Sequence, residues 1–245
     1  MINLEATGCE LAWRDQRSAF GFPPVESARD QGFLTLGGDL TPVRLLVAYA
    51  NGIFPWPHPG LPEIPWFCPT PRTVLLPENL HLGRSTRKAI RHEPFEISFD
   101  TAFPDVINAC ATMDRHDGGG TWITQAMISA YIQLHALGFA HSVEAWRDGR
   151  LVGGVYGVTL GAAFFGESMF HTAPNASKIA LIALLRHLHE WQFQFFDCQM
   201  RSPVASSLGA VDWDGPAFQT ALLNALKTPT RRTGWQTSAE PFRLP

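Results

Sequence analysis

Long hydrophobic runs are missing from this sequence. The longest apolar block, Ile179 to Leu185, falls far short of the roughly 20 residues that a bilayer-spanning helix needs, so no membrane partner is expected. At the start, Glu5, Glu10 and Asp15 interrupt any apolar stretch, so no targeting signal is expected either. Cysteine is scarce: Cys9, Cys68, Cys110 and Cys198 stand far apart without a Cys-x-x-Cys pair. That spacing speaks against a disulfide framework or a zinc knuckle and fits a reduced, cytoplasmic compartment. A basic excess is also lacking, since 19 Lys and Arg face 22 Asp and Glu for a formal charge of -3, which excludes wholesale coating of a polyanion but leaves room for a local basic patch. No His-Glu-x-x-His is present, and His187 and His189, two positions apart on a helical stretch, point to different faces, so no metal is assigned. Internal repeats and low-complexity tracts are absent.

What is there is a chain 45% hydrophobic over 245 residues, enough for one large core or two compact units, and its punctuation favours two. Thr41-Pro42 ahead of Val43 to Tyr49 predicts a helix with a capping hydroxyl and proline at its first position, stopped at Gly52. Prolines then crowd positions 55, 57, 59, 62, 65, 69 and 71, predicting a stiff, irregular connector and a domain boundary near its end. Residues 1–70 are accordingly taken as a small N-terminal domain and 71–245 as a second domain. Ser85 to His92 reads as a helix carrying Arg84, Arg87, Lys88 and Arg91 on one face, a basic stripe suited to nucleic-acid phosphates and equally to plain solvation. Two core helices follow, one around Phe103, Val106, Ile107 and Cys110, the other running from Thr124 to Gly138.

From His141 the period changes. Ser142 to Arg147, an Asp148-Gly149 turn, Leu151 to Leu160, Gly161, and Ala162 to Phe170 predict an antiparallel meander. A helix from Ser177 to Trp191 crosses over to a strand, Gln192 to Gln199, expected to run parallel to the one containing Glu167. Pro216 to Lys227 reads as a last helix, and the tail from Thr228 has little to anchor it. The fold class is therefore α+β, and the meander with its helical crossover to a parallel strand is the layout of GNAT-like acyltransferase domains. Ligands sit at the carboxyl ends of parallel strands, which singles out Glu167, Asp197 and Gln199. Period-two alternation sets Phe193, Phe195, Asp197 and Gln199 on one face, with Cys198 on the other.

Eight blocks in order carry a family resemblance: Leu36-Gly37-Gly38-Asp39-Leu40, Gly52-Ile53-Phe54-Pro55-Trp56, Gly120-Thr121-Trp122-Ile123-Thr124, His141-Ser142-Val143-Glu144, Gly166-Glu167-Ser168-Met169-Phe170, Asn175-Ala176-Ser177-Lys178, Asp197-Cys198-Gln199 and Ser207-Leu208-Gly209-Ala210. In these the chain resembles the bacterial leucyl/phenylalanyl-tRNA-protein transferases. The resemblance implies transfer of leucine or phenylalanine from aminoacyl-tRNA to the N-terminal arginine or lysine of a protein, marking it for degradation. It also implies that Asp197 polarises Gln199, which holds the incoming amine, and that Trp56 and Trp122 stack on the terminal adenine of the tRNA.

The chemistry needs little machinery. An aminoacyl-tRNA is an activated ester, so aminolysis calls for a neutral amine, an oriented carbonyl and a stabilised oxyanion, with no cofactor, metal, ATP or covalent intermediate. An amino terminus has a pKa of about 7.7 to 8.0, so the site must accept a proton, and Asp197 is the expected sink. A glutamine amide orients better than it removes protons, and Glu167 is expected to face a cationic acceptor or a ribose hydroxyl. Val155, Phe164, Leu181, Leu184 and Phe196 are expected to wall an apolar pocket for the leucine or phenylalanine side chain, with some leakage to methionine, or simply to form core.

Three rival readings stand beside this one. An acyl-CoA-dependent N-acetyltransferase needs an Arg/Gln-x-x-Gly-x-Gly/Ala loop, and Arg150-Leu151-Val152-Gly153-Gly154-Val155 misses its last position and lies in a predicted strand. A thiol enzyme using Cys198 has no histidine near in sequence, and a non-catalytic tRNA- or peptide-binding module has no feature against it.

Overall fold

The computed structural model describes residues 8, 10–58, 60–92, 95–113 and 121–243; of the residues named so far, Glu5, Cys9, Pro59 and Gly120 lie outside these. The helices are α1 Glu10–Asp15, α2 Pro42–Ala50, α3 Arg84–His92, α4 Phe103–Thr112, α5 Gln125–Ala136, α6 Ala176–Glu190, α7 Pro203–Ser207 and α8 Gly215–Ala225. The strands are β1 Phe33–Leu36, β2 Phe54–Pro55, β3 Pro65–Phe67, β4 Arg72–Leu75, β5 Glu96–Phe99, β6 Ala140–Arg147, β7 Arg150–Leu160, β8 Ala163–His171, β9 Phe195–Gln199, β10 Val211–Trp213 and β11 Thr237–Pro241.

An eight-stranded mixed sheet dominates, in the order β10-β4-β9-β8-β7-β6-β5-β11, and a small sheet β1-β3-β2 stands in the N-terminal part. This is the expected α+β, GNAT-like plan. β6, β7 and β8 form the meander, closed at one turn by Asp148 and Gly149, both with positive φ (52° and 68°), which is what a two-residue primed hairpin turn demands. α6 then crosses over, and β9 pairs parallel to β8.

The two faces follow from alternation along β8 and β9. Phe165 and Phe195 point to a core shared with α2, α4, α5 and α8, whereas Phe164 and Phe196 point to a second core under α6. The first core runs without a break from Trp13, Leu45 and Trp66 of the N-terminal part into Tyr156, Phe165 and Phe218.

Three expectations are corrected. The proline-rich reach is not wholly irregular, because β2 and β3 lie within it and pair antiparallel with each other; proline is tolerated at the margins of so short a sheet. Thr41 precedes α2, but its hydroxyl donates to Asp39 Oδ1 at 2.6 Å instead of capping the helix. The tail is anchored: Trp235 is buried and stacks on His141 with ring centroids 4.0 Å apart, Thr230 donates to buried Glu10 through both its N–H and its hydroxyl, and β11 pairs with β5.

Candidate active site

β8 and β9 are hydrogen-bonded only as far as Phe165 and Asp197, although β8 continues to His171 and β9 to Gln199. Beyond that register the strands part, at a bulge where Gly157 faces Gly166. Two hollows open into the gap. The first, about 290 Å³, is lined by Val155, Met169, Leu181, Phe196 and Val204 along with Trp122, Gly166, Glu167 and Cys198. The second, about 190 Å³, is lined by Phe54, Trp56, Trp122, Glu167, Cys198 and Gln199. Glu167 and Cys198 belong to the wall they share.

Glu167 is half-buried at this wall, and its carboxylate is turned toward the α2 and α5 side. Tyr49 donates its hydroxyl to Oε1 at 2.6 Å, Tyr131 donates to Oε2 at 3.0 Å, and Gln199 Nε2 donates to Oε1 at 3.1 Å. The two tyrosine hydroxyls also touch each other. Burial lifts the Glu167 pKa to about 7, opposed by the hydrogen bonds from the tyrosines and Gln199 and assisted by the negative charge of Asp197. Burial, and next the charge on Glu167, push both tyrosines well above their ordinary value, so they remain donors.

Asp197 is fully buried and lines neither hollow. Arg72 Nε donates to its Oδ1 at 2.8 Å and Nη2 to its Oδ2 at 2.7 Å, a bidentate pair enclosed by the rings of Phe54 and Phe218. Its remaining contact is the Gln199 backbone N–H, which donates to Oδ1 at 2.8 Å. This bond holds Gln199 at φ 63°, a left-handed conformation rare for a residue with a side chain, at the point where β9 pairs irregularly with β4. Simple alternation therefore ends at Asp197. Phe193 lies ahead of the strand and packs in the core under α6, not on the Asp197 face.

The other expected residues divide. Val155, Leu181 and Phe196 line the larger hollow; Phe164 and Leu184 do not, being fully buried behind it, where Phe164 stacks on Phe196 at 5.5 Å. Trp56 and Trp122 are half-buried and meet edge to face at 6.0 Å. Arg84, Arg87, Lys88 and Arg91 are all exposed on α3, with no ion pair to any described residue. Sequence reading missed Arg72, Tyr49 and Tyr131 as site residues. A signal was present for the last two, because the chain has only 3 tyrosines and an apolar helix face has no need of a phenol.

Two alternatives lose ground on geometry. Gly153 and Gly154 sit in the middle of β7 with partners in both β6 and β8, so their backbone groups are committed to the sheet and cannot cradle a pyrophosphate. Burial pushes the Cys198 thiol far above its ordinary value, the reverse of an activated nucleophile. A possible metal set, Asp100, His135 and His141, has its ligand-type atoms within 4.8 Å of one another. His141 Nδ1 and Asp100 Oδ2 are 2.6 Å apart, a hydrogen-bond distance and well below the about 3.3 Å separating two ligands of a tetrahedral zinc, while His135 Nδ1 is taken up by the Ala140 carbonyl at 2.8 Å. Of the trio, His141 carries the stacked ring of Trp235 from the tail. A wider cleft, about 760 Å³, lies at the opposite ends of β8 and β9, beside Ala162 and Phe193, and none of the expected site residues lines it.

A sheet parted between two parallel strands, with a titratable carboxylate and an amide just past the last paired residues, is the plan of an acyl-transfer enzyme. Two family models match, one described as leucyl/phenylalanyl-tRNA protein transferase over residues 74–223 and one as the N-terminal domain of the same over residues 38–70. Curated leucyl/phenylalanyl-tRNA--protein transferases from Myxococcus xanthus and Desulfatibacillum aliphaticivorans are 51% and 48% identical, covering 89% and 91% of this chain and 93% and 95% of their own lengths. One from Stutzerimonas stutzeri is 47% identical over 90% of this chain and 97% of its own. The chain belongs to the leucyl/phenylalanyl-tRNA protein transferase family and is an aminoacyltransferase.

Proposed function

We propose that the protein transfers leucine or phenylalanine, with methionine as a minor donor, from aminoacyl-tRNA to the N-terminal arginine or lysine of acceptor proteins in the cytoplasm, marking them for degradation. The observation that carries this reading is the wall shared by two hollows, one apolar and one indole-lined, with a carboxylate of pKa about 7 in it. The apolar hollow receives the leucine or phenylalanine side chain. The second receives the terminal adenosine, stacked on Trp56 or Trp122, an interaction of about 1–3 kcal/mol per base. The ester carbonyl between them then lies beside Glu167 and Gln199. The division of the chain at residue 70 is part of this reading, supported by the gap between the stretches 38–70 and 74–223.

The acceptor amine attacks the ester carbonyl, the C–N bond forms, and the C–O bond to the ribose breaks. Overall one proton leaves nitrogen and one reaches the departing oxygen. Glu167 performs both transfers, since its pKa lies close to that of an amino terminus, about 7.7–8.0, and near the working pH where an acid–base catalyst is most effective. Gln199, whose Nε2 is spent on Glu167, turns its amide oxygen to the incoming amine and aligns it. Asp197 is reassigned from proton sink to positioning residue, because it is fully buried and lines neither hollow, whereas Glu167 lines both, and the hold of Asp197 on the Gln199 backbone fixes where that amide lies. Lys or Arg at the acceptor terminus places a positive charge near the ionised Glu167, which favours such chains over neutral ones.

Incubation with leucyl-tRNA and peptides that differ only in their first residue tests the reading. Leucine is expected on peptides beginning with arginine or lysine. Tight binding of charged tRNA without any transfer would replace this reading with a non-catalytic binding module.

A further inference from the structure

Resting on the transfer reading above, we infer that Gly166 is a specificity-determining residue: by having no side chain, it lets the tip of the Phe196 ring abut β8 and so sets the depth of the apolar hollow and the ratio of phenylalanine to leucine accepted. A Cβ at position 166 would stand 2.4 Å from Phe196 Cζ, 2.8 Å from Cε1 and 3.3 Å from Cε2. No side chain fits at such distances without the ring moving; ordinary contact begins near 3.4 Å, so the ring tip must travel by about 1 Å.

The direction of that movement is dictated by what surrounds the ring. On one side Phe196 is stacked nearly parallel to Phe164, at 5.5 Å and 11°. Phe164 is fully buried and is itself pressed against Gly157, where a Cβ would stand 2.5 Å from its Cε1. That side cannot yield. On the other side lies the hollow of about 290 Å³, with Val155, Met169, Leu181 and Val204 around it. A methyl group at 166 therefore drives the Phe196 ring into the space reserved for the donor side chain. Phenylalanine, the larger of the two donors, loses its fit first, whereas leucine still has room.

The experiment compares kcat/KM for phenylalanyl-tRNA and leucyl-tRNA with a single arginine-initial peptide. Gly166→Ala is expected to lower the phenylalanine-to-leucine ratio by about 10-fold, the scale of overpacking by a methylene or two. Phe196→Leu removes the ring tip and is expected to raise the ratio. In the double variant Gly166→Ala/Phe196→Leu the ratio returns toward that of the wild type, because the added methyl group then occupies the space vacated by the ring. Equal loss with both donors in Gly166→Ala would overturn the inference, since it would mean that Glu167 next door had been displaced and not the pocket floor. If Gly166→Ala does not fold, Phe196→Leu decides alone, and an unchanged ratio there overturns it. A wild-type protein that transfers neither amino acid refutes the transfer reading itself, a result distinct from any change of ratio among variants.

Discussion

Glu167 is held by three donors, and each sets its proton affinity in a direction that can be measured. The hydrogen bonds from Tyr49, Tyr131 and Gln199 favour the charged carboxylate, while burial and the charge of Asp197 disfavour it. As the base of the proposed reaction Glu167 must be ionised, so kcat/KM is expected to rise with pH through a midpoint near 7. Tyr49→Phe removes a donor to the anion and moves that limb to higher pH. Asp197→Asn removes a neighbouring negative charge and leaves Arg72 uncompensated, so the limb moves lower. Glu167→Gln eliminates it and leaves only the titration of the acceptor amine, at about 7.7–8.0. A limb that stays put in all three variants would show that the amine alone titrates. Opposite displacements in Tyr49→Phe and Asp197→Asn distinguish tuning of Glu167 from mere loss of structure, which would lower the rate without moving the limb.

Along α6, two leucines three positions apart have different work. Leu181 lines the larger hollow, whereas Leu184 is fully buried in the core behind it. Leu184→Ala is expected to cost about 2–5 kcal/mol of stability, read from a shift in the urea midpoint, with the phenylalanine-to-leucine ratio intact. Leu181→Ala changes that ratio because it enlarges the hollow. The reverse pattern would place the donor side chain elsewhere on the helix. The same division separates Phe196, at the hollow, from Phe164, which supports it.

Across the whole molecule, a net charge of -3 must coexist with a polyanionic donor. The proposed reading assigns this to the α3 stripe: Arg84, Arg87, Lys88 and Arg91 are exposed and lack ion pairs among the described residues, and they lie on the element leading into β5. If they meet tRNA phosphates, the affinity for charged tRNA falls steeply with salt, and Arg87→Ala/Lys88→Ala reduces the slope of log affinity against log salt by about 1 per residue removed. Binding isotherms at several salt concentrations read this directly. An unchanged slope would make the stripe an ordinary solvated helix face.

Much of the molecule was legible from local pattern. The alternation of β6 to β8, the Asp148-Gly149 turn and the length of α6 settle a meander with a crossover, because period and turn chemistry are properties of neighbouring residues. The same locality brought Glu167 and Gln199 just past the last paired residues of two adjacent parallel strands, although Glu167 lies in the middle of β8 and not at its end. It failed where partners come from far along the chain. Arg72 lies 125 positions from Asp197, Tyr49 lies 118 from Glu167, and Trp235 stacks on a histidine at 141, so nothing in the local sequence reveals that Asp197 is sealed in an ion pair or that the tail is fastened. Periodicity assigns a side chain to a face, but burial and pairing depend on what folds over that face, and these sealed Asp197 away from both hollows and left half-buried Glu167 in the wall they share.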